Sequence, residues 1–337
     1  MATPPVTHVR VSALRFLKQS LCCLTFLLPL GAVAQTPPVP EIPKGISLDG
    51  LPDNKVQEYK RGLSTRAKWV AHLPQGSATY LDTPYVEHAF QGKLPSSNQL
   101  LDLYVPPGKG PFPLIVYIHG GAWKGGNKEN EGPELAGRWL PQGFAVASLN
   151  YRFVFDAQFP GMFQDCLDGI AYLRTHAAQY RINPNQVGVV GISAGAHIAA
   201  WVALTEGSSK YPNSNQPVSG VVLWAGFYDM TPETGHWNAS ANPRDDFSLL
   251  YPNRAYDPAI GRAMSPVYQI GANCPPVLIM HGDKDTTAPV AQSELFLDAL
   301  KKAGKNVTYK TYPDYTHNLV KPDVMADTIT FFRQVMK

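Results

Sequence analysis

Gly191-Ile192-Ser193-Ala194-Gly195 sets a serine between two glycines. An apolar, β-branched run, Val187-Gly188-Val189-Val190, precedes it, and a small-residue stretch from Ala196 to Leu204 follows. A serine hydroxyl becomes a useful nucleophile only beside a base, and a sharp strand-to-helix turn is one way to lift it out of a sheet toward a cleft. Such a turn needs residues without a Cβ where helix and strand nearly touch. The spacing therefore predicts a buried strand ending at Gly191, an exposed Ser193, and a helix over Ala194–Leu204. The chemistry this implies is acyl transfer through a covalent intermediate.

Acyl transfer also concentrates negative charge on one oxygen, which preorganised N–H donors must meet. Upstream, Pro113-Leu114-Ile115-Val116-Tyr117-Ile118 reads as a second buried strand and ends in His119-Gly120-Gly121-Ala122-Trp123. Its glycine pair lets backbone amides turn toward a bound oxygen. Gly121 and Ala122, with Ala194 after the serine, are the predicted oxyanion-hole donors. The serine needs a base and the base needs an orienter. Past the turn, the strand-like Pro276–His281 runs into Gly282-Asp283-Lys284-Asp285, and the strand-like Val307–Tyr312 runs into Pro313-Asp314-Tyr315-Thr316-His317. His317 is the histidine in a late loop before a final helix and is the predicted base. His119 is expected to support the oxyanion loop, and His281 to end a strand. Asp285 is the preferred orienter, with Asp283 and then Asp314 as rivals.

Further expected strands are Tyr85–Phe90, Gln99–Val105, Phe144–Asn150 and Gly220–Trp224; further helices are Glu134–Leu140, Met162–Ala178, Val290–Ala303 and roughly Asp323–Val335. Alternating strands and helices argue for an α/β fold with a mostly parallel eight-stranded sheet, helices on both faces and an early antiparallel hairpin. Residues 227–266 lack a strong period and are too long for an ordinary loop, so they are read as a lid insertion. Trp123, Phe227, Tyr228 and Trp237 are candidates for an aromatic pocket, with core packing as their default role.

Three motifs, His119-Gly120-Gly121-Ala122-Trp123, Gly191-Ile192-Ser193-Ala194-Gly195 and His281-Gly282-Asp283-Lys284-Asp285, resemble those of the α/β-hydrolase superfamily, and more narrowly its bifunctional feruloyl and acetylxylan esterase-like branch. Asn150-Tyr151-Arg152, Arg181-Ile182-Asn183-Pro184 and Gln292-Ser293-Glu294-Leu295 extend the resemblance, which runs from about Tyr85 to the C-terminus. It implies a Ser193, Asp285, His317 triad, because in that family the second aspartate of the H-G-x-x-D segment orients the histidine. Ala122 departs from a common third glycine, and Asn318 from a common glycine after the histidine. Ser193 to His197 is also similar to the S-A-G-A-H turn of kynurenine formamidases, so the motifs imply mechanism more narrowly than substrate.

Residues 1–34 carry Arg10, Arg15 and Lys18, an apolar run from Leu21 to Leu30, and Ala32-Val33-Ala34 before Gln35. Positive residues, apolar core and small-residue site in that order predict a signal peptide, too short to be a comfortable membrane span. Export predicts a secreted or periplasmic location and argues against kynurenine breakdown. Residues 35–80 are read as a Pro-rich linker and N-terminal extension, and 81–337 as one catalytic domain. The formal +3 of the 337-residue chain comes from those three cations; without them 26 basic and 26 acidic residues remain. No nucleic-acid or membrane partner is expected from such a balance. Cys166 and Cys274 are the cysteines outside the leader and permit a disulfide without predicting one. No metal or organic cofactor is expected. The sequence thus predicts an exported serine esterase acting on a small-molecule or polysaccharide-linked ester, with a formamidase-like amidohydrolase or a non-catalytic binding protein as alternatives.

Overall fold

Alternate residues of β3 (Phe112–Ile118) part to opposite sides of a sheet. Leu114, Val116 and Ile118 enter one apolar cluster, and Ile115 and Tyr117 another. β4 (Ala145–Leu149), β6 (Gly220–Trp224) and β7 (Val277–Gly282) are likewise buried along their whole length. Strands buried on both faces are continuous apolar runs, which is how the sequence wrote them. The computed structural model describes residues 41–205, 216–232 and 248–337. The expected signal peptide, His236, Trp237 and the middle of the expected lid lie outside the described residues.

The sheet has eight strands in the order β1-β2-β4-β3-β5-β6-β7-β8. Only β2 (Leu100–Val105) runs antiparallel to its neighbours, β1 (Ala78–Pro84) and β4; the other pairings are parallel. β5 (Ile182–Ile192) lies beside β3, and β8 (Val307–Tyr312) closes the far edge beside β7. One face is covered by α3 (Gly161–Thr175), α5 (Ala194–Thr205), α6 (Pro258–Met264) and α7 (Val290–Lys302), with α4 (Ala177–Tyr180) a single turn after α3. The other is covered by α2 (Gly132–Trp139) and α8 (Pro322–Val335). From β3 the chain moves outward to β4 and then crosses back to β5. The loops leaving β3 and β5 therefore diverge, and in such sheets the crevice at the carboxyl ends of the strands is where ligands bind.

Two expectations about the N-terminal part are corrected. The first strand is Ala78–Pro84, not Tyr85–Phe90. As an edge strand it is only partly buried, so Thr, Tyr and Asp replace the apolar run that a search for buried strands follows. The Tyr85 hydroxyl instead donates to the Asn150 carbonyl at 2.6 Å, after the strand has ended. Within residues 35–80 the chain also forms α1 (Asp53–Val70), which packs against α2 and buries Tyr59, Leu63 and Arg66.

Arg66 reaches a buried cluster of charges. Lys128 Nζ donates to Asp82 at 2.6 Å, Asp102 at 2.8 Å and Glu129 at 2.6 Å, and Arg66 donates to Asp82 at 2.8 Å and Asp102 at 3.2 Å. Asp82 sits at a bulge in β1 with φ 51°, and its amide donates to Asp102 at 2.8 Å. Burial disfavours the charged Lys128, yet Asp102, Glu129 and Asp82 together raise its pKa. The cluster ties α1, β1, β2 and the loop after β3 into one unit.

Lys128→Met should therefore leave three carboxylates beside a single guanidinium. The expected loss is about 3–5 kcal/mol of unfolding free energy. Urea denaturation would measure it, and a loss below about 1 kcal/mol would contradict a structural role for this cation.

Candidate active site

β5 ends at Ile192 and α5 begins at Ala194, leaving Ser193 alone at the turn with φ 56°, a left-handed conformation unusual for a residue with a side chain. The turn is held by its own backbone: Ser193 N–H donates to the Trp224 carbonyl at 2.8 Å, and Ser193 O accepts from the amides of Ala196 and His197. The flanking glycines are required by contact. A Cβ on Gly191 would lie 2.2 Å from the Gly195 carbonyl oxygen, and one on Gly195 would lie 2.2 Å from the Ile118 oxygen.

The loop after β3 bends in the same strained region, with positive φ at Gly121 (124°), Ala122 (50°) and Trp123 (59°). It folds back on itself so closely that a Cβ on Gly121 would meet the Gly125 carbonyl oxygen at 2.1 Å. Ala122 thus adopts a conformation that glycine would take without strain. The amides of Gly121, Ala122 and Ala194 have no acceptor among the described residues. His119 braces this loop: its Nδ1–H donates to the Gly120 carbonyl at 2.7 Å, and its ring stacks on Tyr151 at 4.5 Å. The Tyr151 hydroxyl donates to the His119 carbonyl at 2.9 Å. Burial pushes the His119 pKa down to about 4, which keeps the ring neutral.

His317 Nδ1 donates to Asp285 Oδ2 at 2.8 Å, with Asp285 fully buried and His317 about a quarter exposed. Asp285 Oδ1 accepts from the amides of Thr287 at 2.8 Å and Ala288 at 2.9 Å. Burial alone would raise the Asp285 pKa, but bonds from His281, His317 and the Ala288 amide carry it well below the usual carboxylate range. Asp283 is spent elsewhere, accepting the Asp314 amide at 2.7 Å. Of the three candidate carboxylates, Asp285 is the one at the histidine.

Ser193 and His317 line one cavity of about 590 Å³, together with Gly120, Gly121 and Ala122. No hydrogen bond joins Ser193 Oγ to His317 Nε2; such bonds are often long in free enzymes and tighten when substrate binds. Trp123, Phe227 and Tyr228 take their default role: they are buried in the core, and none lines the cavity. Trp123 Nε1 donates to His197 Nδ1 at 3.1 Å, while His197 Nε2 donates to the Met264 carbonyl at 2.8 Å. On the far side of the expected lid, residues 253–259 are exposed, but residues 227–231 at its start are buried. Gln292 Oε1 accepts from the amides of Tyr228 at 2.7 Å and Asp229 at 2.9 Å, pinning that segment to α7.

One residue beside the site was given only the role of ending a strand. His281 Nε2 faces two acceptors, Asp285 Oδ2 at 3.1 Å and the Ala288 carbonyl at 3.0 Å, so it carries the proton. Its Nδ1 then accepts from the Ser293 hydroxyl at 2.7 Å. The i,i+4 spacing of His281 and Asp285 in the H-G-x-x-D segment was the available signal. Among the described residues no group of three or more His, Cys, Asp or Glu side chains is placed to hold a metal ion, and Cys166 and Cys274 are free thiols.

Comparison with known proteins sets this geometry in a family. The family profile described as BD-FAE matches residues 101–300. The curated esterase LipQ of Mycobacterium tuberculosis (strain ATCC 25618 / H37Rv) is 27% identical over 252 residues, covering 71% of this chain and 60% of the relative. The chain spans about half the length of the curated relatives it matches, from 49 to 60% for the first three. A truncated carbohydrate esterase from gut microbiota superposes with a TM-score of 0.66 at 25% identity, covering 78% of this chain and 99% of that one. A bifunctional GH43-CE protein of Bacteroides eggerthii gives 0.66 at 27% identity, covering 77% and 38%.

His281→Ala should leave Asp285 short of one donor and Ser293 short of its acceptor. Each buried group left unpaired costs about 1–3 kcal/mol, so a loss of about 2 kcal/mol or more is expected in urea unfolding. A variant as stable as the parent would mean that this hydrogen-bond chain is not closed in solution.

Proposed function

The chain belongs to the BD-FAE family of α/β hydrolases, and we propose that it is an exported serine esterase that hydrolyses carboxylic esters through an acyl-enzyme. The observation that carries the reading is the 2.8 Å Asp285–His317 bond beside a cavity shared by His317, Ser193 and the loop of unpaired amides. Ser193 Oγ attacks the ester carbonyl carbon as His317 Nε2 takes its proton. The carbonyl oxygen, now an oxyanion, is met by the N–H groups of Gly121, Ala122 and Ala194. Collapse of the intermediate breaks the bond to the alcohol oxygen, which leaves with the proton from His317. Water then attacks the acyl-serine by the same route and releases the acid. Asp285 stays ionised throughout, holding His317 with Nδ1 protonated and Nε2 free to accept.

Acetyl, short-chain or feruloyl esters of a small alcohol or a polysaccharide are the proposed substrates. The similarity to an esterase and to a carbohydrate esterase supports that choice. Export rests on residues 1–34, and N-terminal sequencing of the protein recovered from outside the cytoplasm should begin at Gln35.

Ser193→Ala should abolish hydrolysis of p-nitrophenyl acetate, because loss of a triad nucleophile costs up to ~10⁶ in turnover. Retention of more than about a tenth of the activity, well above that expectation, would sink the assignment. An organophosphonate should add its mass to the peptide containing Ser193.

Asp285→Asn should lower turnover by roughly 10⁴ by favouring the wrong tautomer of His317. Asp283→Asn should cost far less, since Asp283 only anchors the Asp314 turn. Reversal of the two effects would move the orienting role to Asp283.

Against N-formylkynurenine, a short-chain or aryl ester should show kcat/KM at least ~10² higher, about 2.7 kcal/mol of transition-state discrimination. Equal rates would turn the reading into that of a broad formamidase.

A further inference from the structure

Glu131, the residue just before α2, lines the same cavity as Ser193 and His317. Its Oε2 accepts from the Tyr117 hydroxyl at 3.1 Å. Apart from the residue's own amide, no other donor among the described residues reaches the carboxylate, and Glu131 is only partly buried. Burial raises the carboxyl pKa above its ordinary value despite the bond from Tyr117. The carboxylates in the buried cluster beneath the loop all face Lys128 or Arg66. The described residues that line the cavity include no lysine or arginine. A partly buried carboxylate with one phenol for company is costly to keep, and such groups concentrate where they contact ligands. Asn130 and Asn318 add amide groups to the same wall, and Thr287 and Thr316 add hydroxyls.

We propose that Glu131 Oε1 accepts a hydrogen bond from a hydroxyl on the alcohol moiety of the ester, and that its charge turns away anionic alcohols. Tyr117 fixes the carboxylate so that one oxygen is spent on the fold and the other is offered to substrate. A carboxylate beside a hydroxyl gains a charge-assisted hydrogen bond, while beside a second carboxylate it gives repulsion in a poorly solvated space. The preferred substrates are then neutral, hydroxyl-bearing alcohols. This inference rests on the esterase reading and adds the selection among esters.

Three secondary acetates of similar size isolate the effect: 1,2-propanediol 2-acetate carries a hydroxyl, O-acetyl-lactate a carboxylate, and isopropyl acetate neither. Their kcat/KM values at pH 8 should fall in that order: hydroxyl, plain alkyl, anion. In Glu131→Gln the hydroxyl-to-alkyl ratio should fall, and the anion-to-alkyl ratio should rise by about tenfold, since a charged partner is replaced by a neutral one. Tyr117→Phe keeps the charge but frees the carboxylate, so the first ratio should drop while the anion stays excluded. Movements in opposite directions cannot come from general loss of folded enzyme. Ratios within twofold of the parent in Glu131→Gln, or parallel loss on all three acetates, would overturn the role of Glu131. Failure of the parent to cleave any acetate or p-nitrophenyl acetate would instead overturn the esterase reading itself.

Discussion

A residue with a side chain is forced into a left-handed conformation at the end of the central strand, and much of the surrounding structure answers to that constraint. Ser193 can hold φ 56° only if helix α5 starts at once and runs back against β5 and β3. That return brings Gly195 against the Ile118 carbonyl, at a separation no side chain would tolerate. The same close approach sets the end of β3 beside the serine, so the loop after β3 delivers its amides where an acyl oxygen would sit. Backbone strain of this kind costs of order 1–3 kcal/mol and survives only where the surroundings over-determine it. Here they do so through the Trp224 carbonyl on one side and the first turn of α5 on the other.

Electrostatics divides the interior into two regimes. Beneath the loop after β3, charges are gathered against one another, and they serve as a rivet between α1 and the sheet. Around the cleft, charges are few and each is held by hydrogen bonds that fix its direction. Asp285 is surrounded by donors from two imidazoles and two amides, which keep it ionised in a site that would otherwise neutralise it. His119 and His197 show the reverse: burial with no anion nearby holds each ring neutral, with pKa values of about 4, as braces for loops and helices.

Much of this was legible in the residues. Gly220–Trp224 and Val307–Tyr312 are legible to the residue and the other parallel strands nearly so, because a β-branched run between turn signals has few other uses; β5 is the exception, starting at Ile182, five residues before the apolar run at Val187. The elbow and the glycine loop were legible because both need residues without a Cβ at fixed places. What escaped depends on neighbours rather than on the local string. β1 and α1 carry too much polarity to announce themselves, and their burial comes from Arg66, Asp82 and Lys128 meeting across distant segments. Asp285 and Asp283 are not separable by spacing; family resemblance favoured the first, and only the fold places it at His317. The aromatic residues went the other way. Residue type marks Trp123, Phe227 and Tyr228 as large and apolar, but says nothing about which side of a wall they occupy. Glu131 lies in a short polar run, Asn130-Glu131-Gly132, with no signal that it would line the cavity.

The rivet under the loop after β3 bears on where this chain can be cut. The family profile spans 101–300, yet Arg66 and Asp82 precede it, and β8, His317 and α8 follow it. A recombinant fragment trimmed to the profile would expose both raw edges of the sheet, at β2 and β7, and uncover Lys128, Asp102 and Glu129 without their outer partners. The region the family profile matches and the region that folds are different lengths of chain. For truncation, fusion or domain transplantation, the natural seam lies ahead of Asp53 rather than at the start of the sheet.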